Sequence, residues 1–147
     1  MRQIYVMGRY LLAKCTVFIK MIPSTHQTGL RSCKGTQTDL FLGLAQGCVD
    51  ESLTYAQTRQ AFGRPIGANQ GVQFPLAKAY AQLCAANMVR YDAAAKFDAG
   101  VNCAAEANMA KMLAAEASWQ AAEACVQTHG GFGFAEEYDV ERKFRET

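Results

Sequence analysis

The sequence predicts an all-α protein built as an antiparallel helical bundle, or part of one. Three observations carry this. Apolar residues recur at helical spacing through long alanine-rich runs after residue 39, the glycine- and proline-bearing breaks between those runs are short, and strand-like alternation is nearly absent there. At 147 residues the chain has the length of one domain. It divides into a segment 1–38, expected to be divergent or poorly ordered, and a helical domain 39–147. An apolar fraction of 50% with 10% aromatic residues argues against general disorder.

The net charge of +2 hides an asymmetry: residues 1–38 carry six basic side chains and no acid, whereas residues 39–147 carry nine basic and thirteen acidic ones. The basic segment suits a mitochondrial presequence in composition, while Lys14 interrupts the run LLAKCTVFI and argues against a secretory signal. Six charges spread over 38 residues make no compact patch, so no nucleic-acid partner is expected. No run of eighteen apolar residues occurs, and no transmembrane segment is expected.

The elements follow in order. Residues 1–22 alternate weakly and suit a short strand or helix. The stretch PSTHQTGLRSCKGTQT reads as turns, and Thr38 or Asp39 can cap a first helix over residues 40–59. Phe41, Leu44, Cys48 and Tyr55 mark its packed face, and Gly43 and Gly47, four apart, permit close approach of another element. A second helix over 71–99 carries Leu76, Tyr80, Leu83, Tyr91 and Ala94, flanked by a stripe of Phe74, Ala77, Ala81, Cys84 and Met88. That width suits a helix buried on several sides. Pro75 falls in its first turns, where a missing amide proton costs least, and Gly100 can end it. A third helix over 103–128 turns Met109, Leu113, Ala117, Ala121 and Cys125 inward and Glu116, Gln120, Glu123 and Gln127 outward, with Trp119 sealing an edge of the core. HGGFGF stops it, and a last short helix over 137–146 places Val140 and Phe144 on one side.

Most chemistries are set aside by elimination. The six cysteines form no CxxC pair, and His26 and His129 lack ligand-like neighbours, so neither a zinc site nor a disulfide framework is expected. Cys84, Cys103 and Cys125 read as buried free thiols of a reducing compartment, cytoplasmic or the mitochondrial matrix. Cys125 and His129 lie four apart on one helix, but a nucleophile there is not expected because Cys125 belongs to the core. Phosphate loops, nucleophile elbows and helical metal-carboxylate motifs are absent. Two loops remain. In RQAFGRPIGANQGVQ, Arg59 could pair with a phosphate and Phe62 could lie against a ring system. In QTHGG, Gly130 and Gly131 are either a plain turn or a place where backbone amides meet a bulky anionic ligand.

The run R-x-A-F-G-R-P-I-x-x-x-Q-x-V-Q, followed by Leu76-Ala77, resembles the signature of the acyl-CoA dehydrogenase superfamily. So does its distant companion Q-x-H-G-G-x-G-F-x-x-E-x-x-V-E-R-x-x-R, together with Asp98-x-Gly100 and the AxMAK string at 107–111. The resemblance covers residues 43–146 and implies the C-terminal all-helical domain of these flavoenzymes, present incompletely. It implies FAD as cofactor and oxidation of an acyl-CoA substrate to the 2-enoyl-CoA, with electron-transfer flavoprotein as oxidant of the reduced flavin. It also implies a homo-oligomer, dimer or tetramer. Matched residue by residue, Arg59 contacts the FAD pyrophosphate, Phe62 lies beside the cofactor, and Gln70 sits near its adenosine. Gln127, Gly130 and Gly131 then form the loop that meets the FAD of a neighbouring subunit. Glu137, Glu141, Arg142 and Arg145 take ion-pair roles. No catalytic base is assigned: the sequence stops at ERKFRET, before the family's glutamate-bearing segment, and the alternative place for the base, around Cys33 and Lys34, holds no carboxylate. The chain alone is therefore expected to be inactive, and to be sticky or partly unfolded. An acyl-CoA oxidase-like or nitroalkane-oxidase-like flavoenzyme and a non-enzymatic helical interaction module are the alternatives.

Overall fold

A computed structural model describes residues 28–147, with side chains from Gln37 onward. The expectations for residues 1–22 and for a leader lie outside the described residues, as do the side chains of Cys33 and Lys34. The described part is the expected all-α bundle. Helix α1 spans Thr28–Thr58, α2 Gln70–Asp98, α3 Ala104–His129 and α4 Val140–Arg145. Between α1 and α2 stand two very short strands, β1 (Gln60–Ala61) and β2 (Arg64–Pro65), and a 3-10 turn, Ile66–Ala68. A second 3-10 turn, Gly130–Phe134, follows α3.

Ion pairs and ring contacts give the directions of the helices. Asp39, early in α1, pairs with Arg90, late in α2. Lys96, near the end of α2, bonds Glu106 in the first turn of α3 at 2.7 Å. Tyr55, near the end of α1, stacks on His129, the last residue of α3. The path is therefore up, down, up: each helix is antiparallel to the next, and α1 runs parallel to α3. Helix α3 is the hub, packing against both others.

The core is built from small side chains. Helix α3 contributes Ala114, Ala117, Ala121, Ala122 and Cys125, α1 contributes Leu42, Ala45, Cys48 and Val49, and α2 contributes Leu76, Ala79, Leu83 and Ala86. Alanine favours helix and lets axes approach closely. Val140 closes one side of the core, and Lys143 pairs with Glu51, tying α4 to α1. Arg142 bonds Asp139 and Glu146, and Arg145 pairs with Glu141, as the ion-pair reading expected, whereas Glu137 is exposed and takes no such pair among the described residues.

Several expectations are corrected. The first helix begins at Thr28, not after a cap at Thr38 or Asp39. Thr38 is buried inside it and the Asp39 carboxylate is spent on Arg90, so neither ends the helix. Its inward positions are Leu42, Ala45, Cys48, Val49, Ser52 and Ala56, one step round from the predicted Phe41 and Leu44, which are half-buried. On α2 only the stripe of Leu76, Ala79, Leu83 and Ala86 is covered. Phe74, Tyr80, Cys84, Met88 and Tyr91 are exposed, because among the described residues α2 has neighbours on one side only. Met109 on α3 is also exposed. Cys84 is thus no core thiol, unlike Cys103 and Cys125. Trp119 is half-exposed and leans on Phe144, ring centroids 5.1 Å apart.

Candidate functional site

The connector between α1 and α2 is short but heavily tied. Arg59 continues α1 with an N–H bond to the Tyr55 carbonyl of 2.8 Å. Strands β1 and β2 then pair, Gln60 with Pro65 and Ala61 with Arg64, leaving Phe62-Gly63 as a two-residue turn. Both turn residues have positive φ, 53° and 78°, the pattern of a type I′ hairpin turn. Gly63 adopts it freely. Phe62 does so at a cost of about 1–3 kcal/mol, since its Cβ crowds the backbone. The result is an entirely exposed aromatic ring on a strained but well-held backbone.

Polar side chains hold that turn in place. The Ile66 N–H donates to the Arg59 carbonyl at 2.9 Å, Arg64 Nη2 donates to Asn69 Oδ1 at 2.8 Å, and Gln73 Nε2 donates to the Gly67 carbonyl at 2.7 Å. A Cβ at Gly67 would lie 3.0 Å from the Ala56 carbonyl oxygen, so the connector presses directly on α1. Gln70 is the first residue of α2 and is exposed at the positive end of that helix. An apolar groove of about 530 Å³ runs beside it, between Leu53 and Gln57 of α1, Pro65 of the connector, and Val72 and Tyr80 of α2.

The second loop forms where α3 stops. Gly130 has φ 58° and ψ −133°, a conformation almost confined to glycine, and its N–H closes onto the carbonyls of Gln127 and Val126. Gln127, Gly130 and Gly131 are exposed, and a Cβ added to Gly131 would meet nothing within 4 Å.

The tertiary structure brings the two loops together through aromatic rings. Tyr55 stacks on His129 at 4.1 Å, and Tyr138 stands edge-on to both, at 5.6 and 5.4 Å. Phe132 meets Tyr138 at 6.0 Å, and the Arg59 guanidinium lies 5.2 Å above the Phe132 ring. Arg59 and the Gly130–Gly131 turn therefore share one end of the bundle. Arg90, Arg142 and Arg145 pair with carboxylates and Arg64 with Asn69, so among the arginines whose side chains are described Arg59 is the one without a polar side-chain partner. Phe62, in the same connector, and Gln70, at the start of α2, face solvent, and among the described residues no contact joins them to the second loop. Sequence reasoning missed Phe132, Tyr138, Asn69 and Gln73. Phe132 and Tyr138 join two loops distant in sequence, for which local spacing carries no signal, whereas Asn69 and Gln73 brace the first connector through Arg64 and the Gly67 carbonyl.

Beneath this surface lies a titrating cluster. His129 is buried, its Nδ1–H donates to the Cys125 carbonyl at 2.8 Å, and the same nitrogen is 3.8 Å from Cys125 Sγ. Burial works against charge on His129, but its bonds with the Cys125 thiol and carbonyl outweigh it and raise its pKa. The Cys125 thiol is pushed well down by its contact with Cys48 and by His129 and Ser52, against the effect of burial. Cys48 is pushed up by that contact and by burial. Among the described residues no three His, Cys, Asp or Glu side chains cluster as a metal site would need, and no helix is long and apolar enough to cross a membrane.

Residues 39–147 match the model of the acyl-CoA dehydrogenase C-terminal domain. The chain belongs to the acyl-CoA dehydrogenase family. This domain is 44% identical over 105 residues to the 3-(aryl)acrylate reductase of Clostridium sporogenes, covering 71% of this chain and 28% of that protein. Among solved structures it is similar to butyryl-CoA dehydrogenase from Megasphaera elsdenii, with TM-score 0.77 and 31% identity over 80% of this chain and 30% of that one. It is similar also to PigA with FAD and proline, with TM-score 0.75 and 30% identity over 78% of this chain and 30% of that one. This acyl-CoA dehydrogenase domain thus spans about 28% of the length of the Clostridium sporogenes protein and of other curated relatives it matches.

Proposed function

We propose that the chain is the FAD-binding C-terminal part of an acyl-CoA dehydrogenase that oxidises an acyl-CoA thioester to its 2-enoyl-CoA. The observation that carries this reading is Arg59. It is a guanidinium without a polar side-chain partner, seated over Phe132 at the junction of the two loops. An arginine so placed suits a diphosphate, which it can meet with two parallel bonds. The strained, bare ring of Phe62 suits a planar ligand bound beside Arg59, and the open backbone at Gly131 suits the close approach of another. Arg59, Phe62 and Gln70 would hold one FAD, and Gln127, Gly130 and Gly131 would meet that of a neighbouring subunit. When bound, FAD supplies the two-electron acceptor. The residues of this chain bind and orient it, and none is assigned as the base. The exposed stripe of α2 suits a homo-oligomer, and electron-transfer flavoprotein is the proposed oxidant.

The test is FAD binding, read by flavin fluorescence polarisation, for the chain supplied with the N-terminal and middle domains of a relative. Arg59→Ala should weaken binding about tenfold or more, the loss of one charged hydrogen-bonding group. Unchanged affinity would overturn the assignment of Arg59. The chain alone should leave FAD unbleached by acyl-CoA, because base, thioester and flavin must be held together.

A further inference from the structure

Helix α2 carries two apolar stripes. The buried one, Leu76, Ala79, Leu83 and Ala86, packs on α3 and α1. The other runs Phe74, Ala77, Ala81, Cys84, Met88 and Tyr91, and each of these is exposed. At about 100° per residue the second stripe lies roughly 150° from the first, on the side where a surface helix ordinarily carries charge. It holds no charged or amide side chain. Its steps are three, four, three, four and three, the heptad spacing of a seam between paired helices and not the scatter of ordinary exposure.

We propose that this seam pairs with the same seam of a second copy, the two α2 helices running antiparallel about a twofold axis between residues 82 and 83. The pairing rests on the homo-oligomer of the proposed function and gives it a face, a direction and a register. Shape and charge both choose it. Antiparallel pairing sets Phe74 against Tyr91 of the second copy, Ala77 against Met88, and Ala81 against Cys84. Small side chains then stand at the axis, where two crossing helices come closest, and aromatic rings fill the wider ends. A parallel pair would set each large residue against itself and leave gaps at the alanines. One flank of the seam carries Lys78, Ala85 and Asp92 at steps of seven, all exposed. Antiparallel pairing turns the Lys78 end of that flank toward the Asp92 end of the other, whereas parallel pairing would set like charge on like. Asp92 bonds Lys96 of its own helix at 2.9 Å and stays exposed enough to take a second cation.

Sedimentation velocity of the full chain reads the assembly, and cross-linking reads its geometry. Two chains are made, one with Ala77→Cys and Cys84→Ser, the other with Met88→Cys and Cys84→Ser. All three positions are exposed, so the fold tolerates the changes, and helicity is checked by circular dichroism. The chains are mixed equally, joined with a short bismaleimide and digested with trypsin. Position 77 then lies in peptide 60–78 and position 88 in peptide 79–90, and every other cysteine falls in a different peptide. The expected result is a dimer in which 60–78 is linked to 79–90 about tenfold more often than either is linked to itself, because like positions stand about 16 Å apart along the axis. Ala81→Glu in the parent chain should weaken the dimer about a hundredfold, since it sets two carboxylates in the apolar seam. A helical chain that sediments as a monomer would overturn the pairing. A dimer whose links join like peptides, or join without preference, would overturn the direction and register and leave a homo-oligomer standing. FAD takes no part in either readout, so failure of the flavin reading would leave this result intact.

Discussion

Phe62 holds a positive φ with its ring wholly in solvent, so within this chain it loses backbone energy and gains no contact. Phe62→Asn should therefore raise Tm by about 3–6 °C in thermal denaturation, since asparagine tolerates that conformation and relief of about 1 kcal/mol suffices. The same variant should bind FAD less well, which would separate strain kept for binding from strain without use. The two glycines make a matched pair. Gly130→Ala should destabilise by about 1–3 kcal/mol, because its φ and ψ suit almost no other residue. Gly131→Ala should stay within about 0.5 kcal/mol of the parent in urea unfolding, since its Cβ enters open space. Any loss of FAD affinity in Gly131→Ala then reports on the ligand and not on the fold. Arg59, Phe62, Gln70, Gln127, Gly130 and Gly131 were all legible as candidates because two separated strings carried them. Phe132 and Tyr138 were not, because their role is contact across the bundle.

At the scale of elements, α2 depends on one buried stripe. Leu83→Ala at its centre should cost about 2–5 kcal/mol, measured by denaturant unfolding, as the surrounding alanines cannot collapse into the space. Connections between elements also set the acid limit. Asp139, through Arg142, and Glu106, through Lys96, both have depressed pKa values. A depressed carboxylate stabilises above its unfolded pKa and loses that contribution as pH falls through the folded value. Stability should thus decline below about pH 4, and Asp139→Asn should flatten that limb in a pH series of melting curves. Helix periods were readable because alanine-rich runs have few other solutions. The start of α1 was misplaced because Asp39 has the chemistry of a cap, and only its pairing with Arg90 shows that the carboxylate is used elsewhere.

Across the whole molecule, the exposed side of α2 is the largest departure from expectation. Phe74 at 63% exposure, Met88 at 73% and Tyr91 at 58% form an apolar strip that α1 and α3 leave uncovered. Such strips drive association. The chain alone should therefore self-associate in sedimentation velocity, and Phe74→Gln with Met88→Gln should shift it toward monomer without lowering its helicity. A wide apolar stripe in the sequence says that a face is to be covered. It cannot say whether the cover comes from the same chain.

What the sequence determined by itself was the helical class, the positions of the breaks and the family, because periodicity, glycine placement and motif order are local properties of the chain. What only the tertiary structure decided was which residues meet. The parallel course of α1 and α3 brings Tyr55 onto His129 and Arg59 over Phe132. Those contacts join positions about 70–80 residues apart, and their energy depends on packing across helices, which no local spacing encodes.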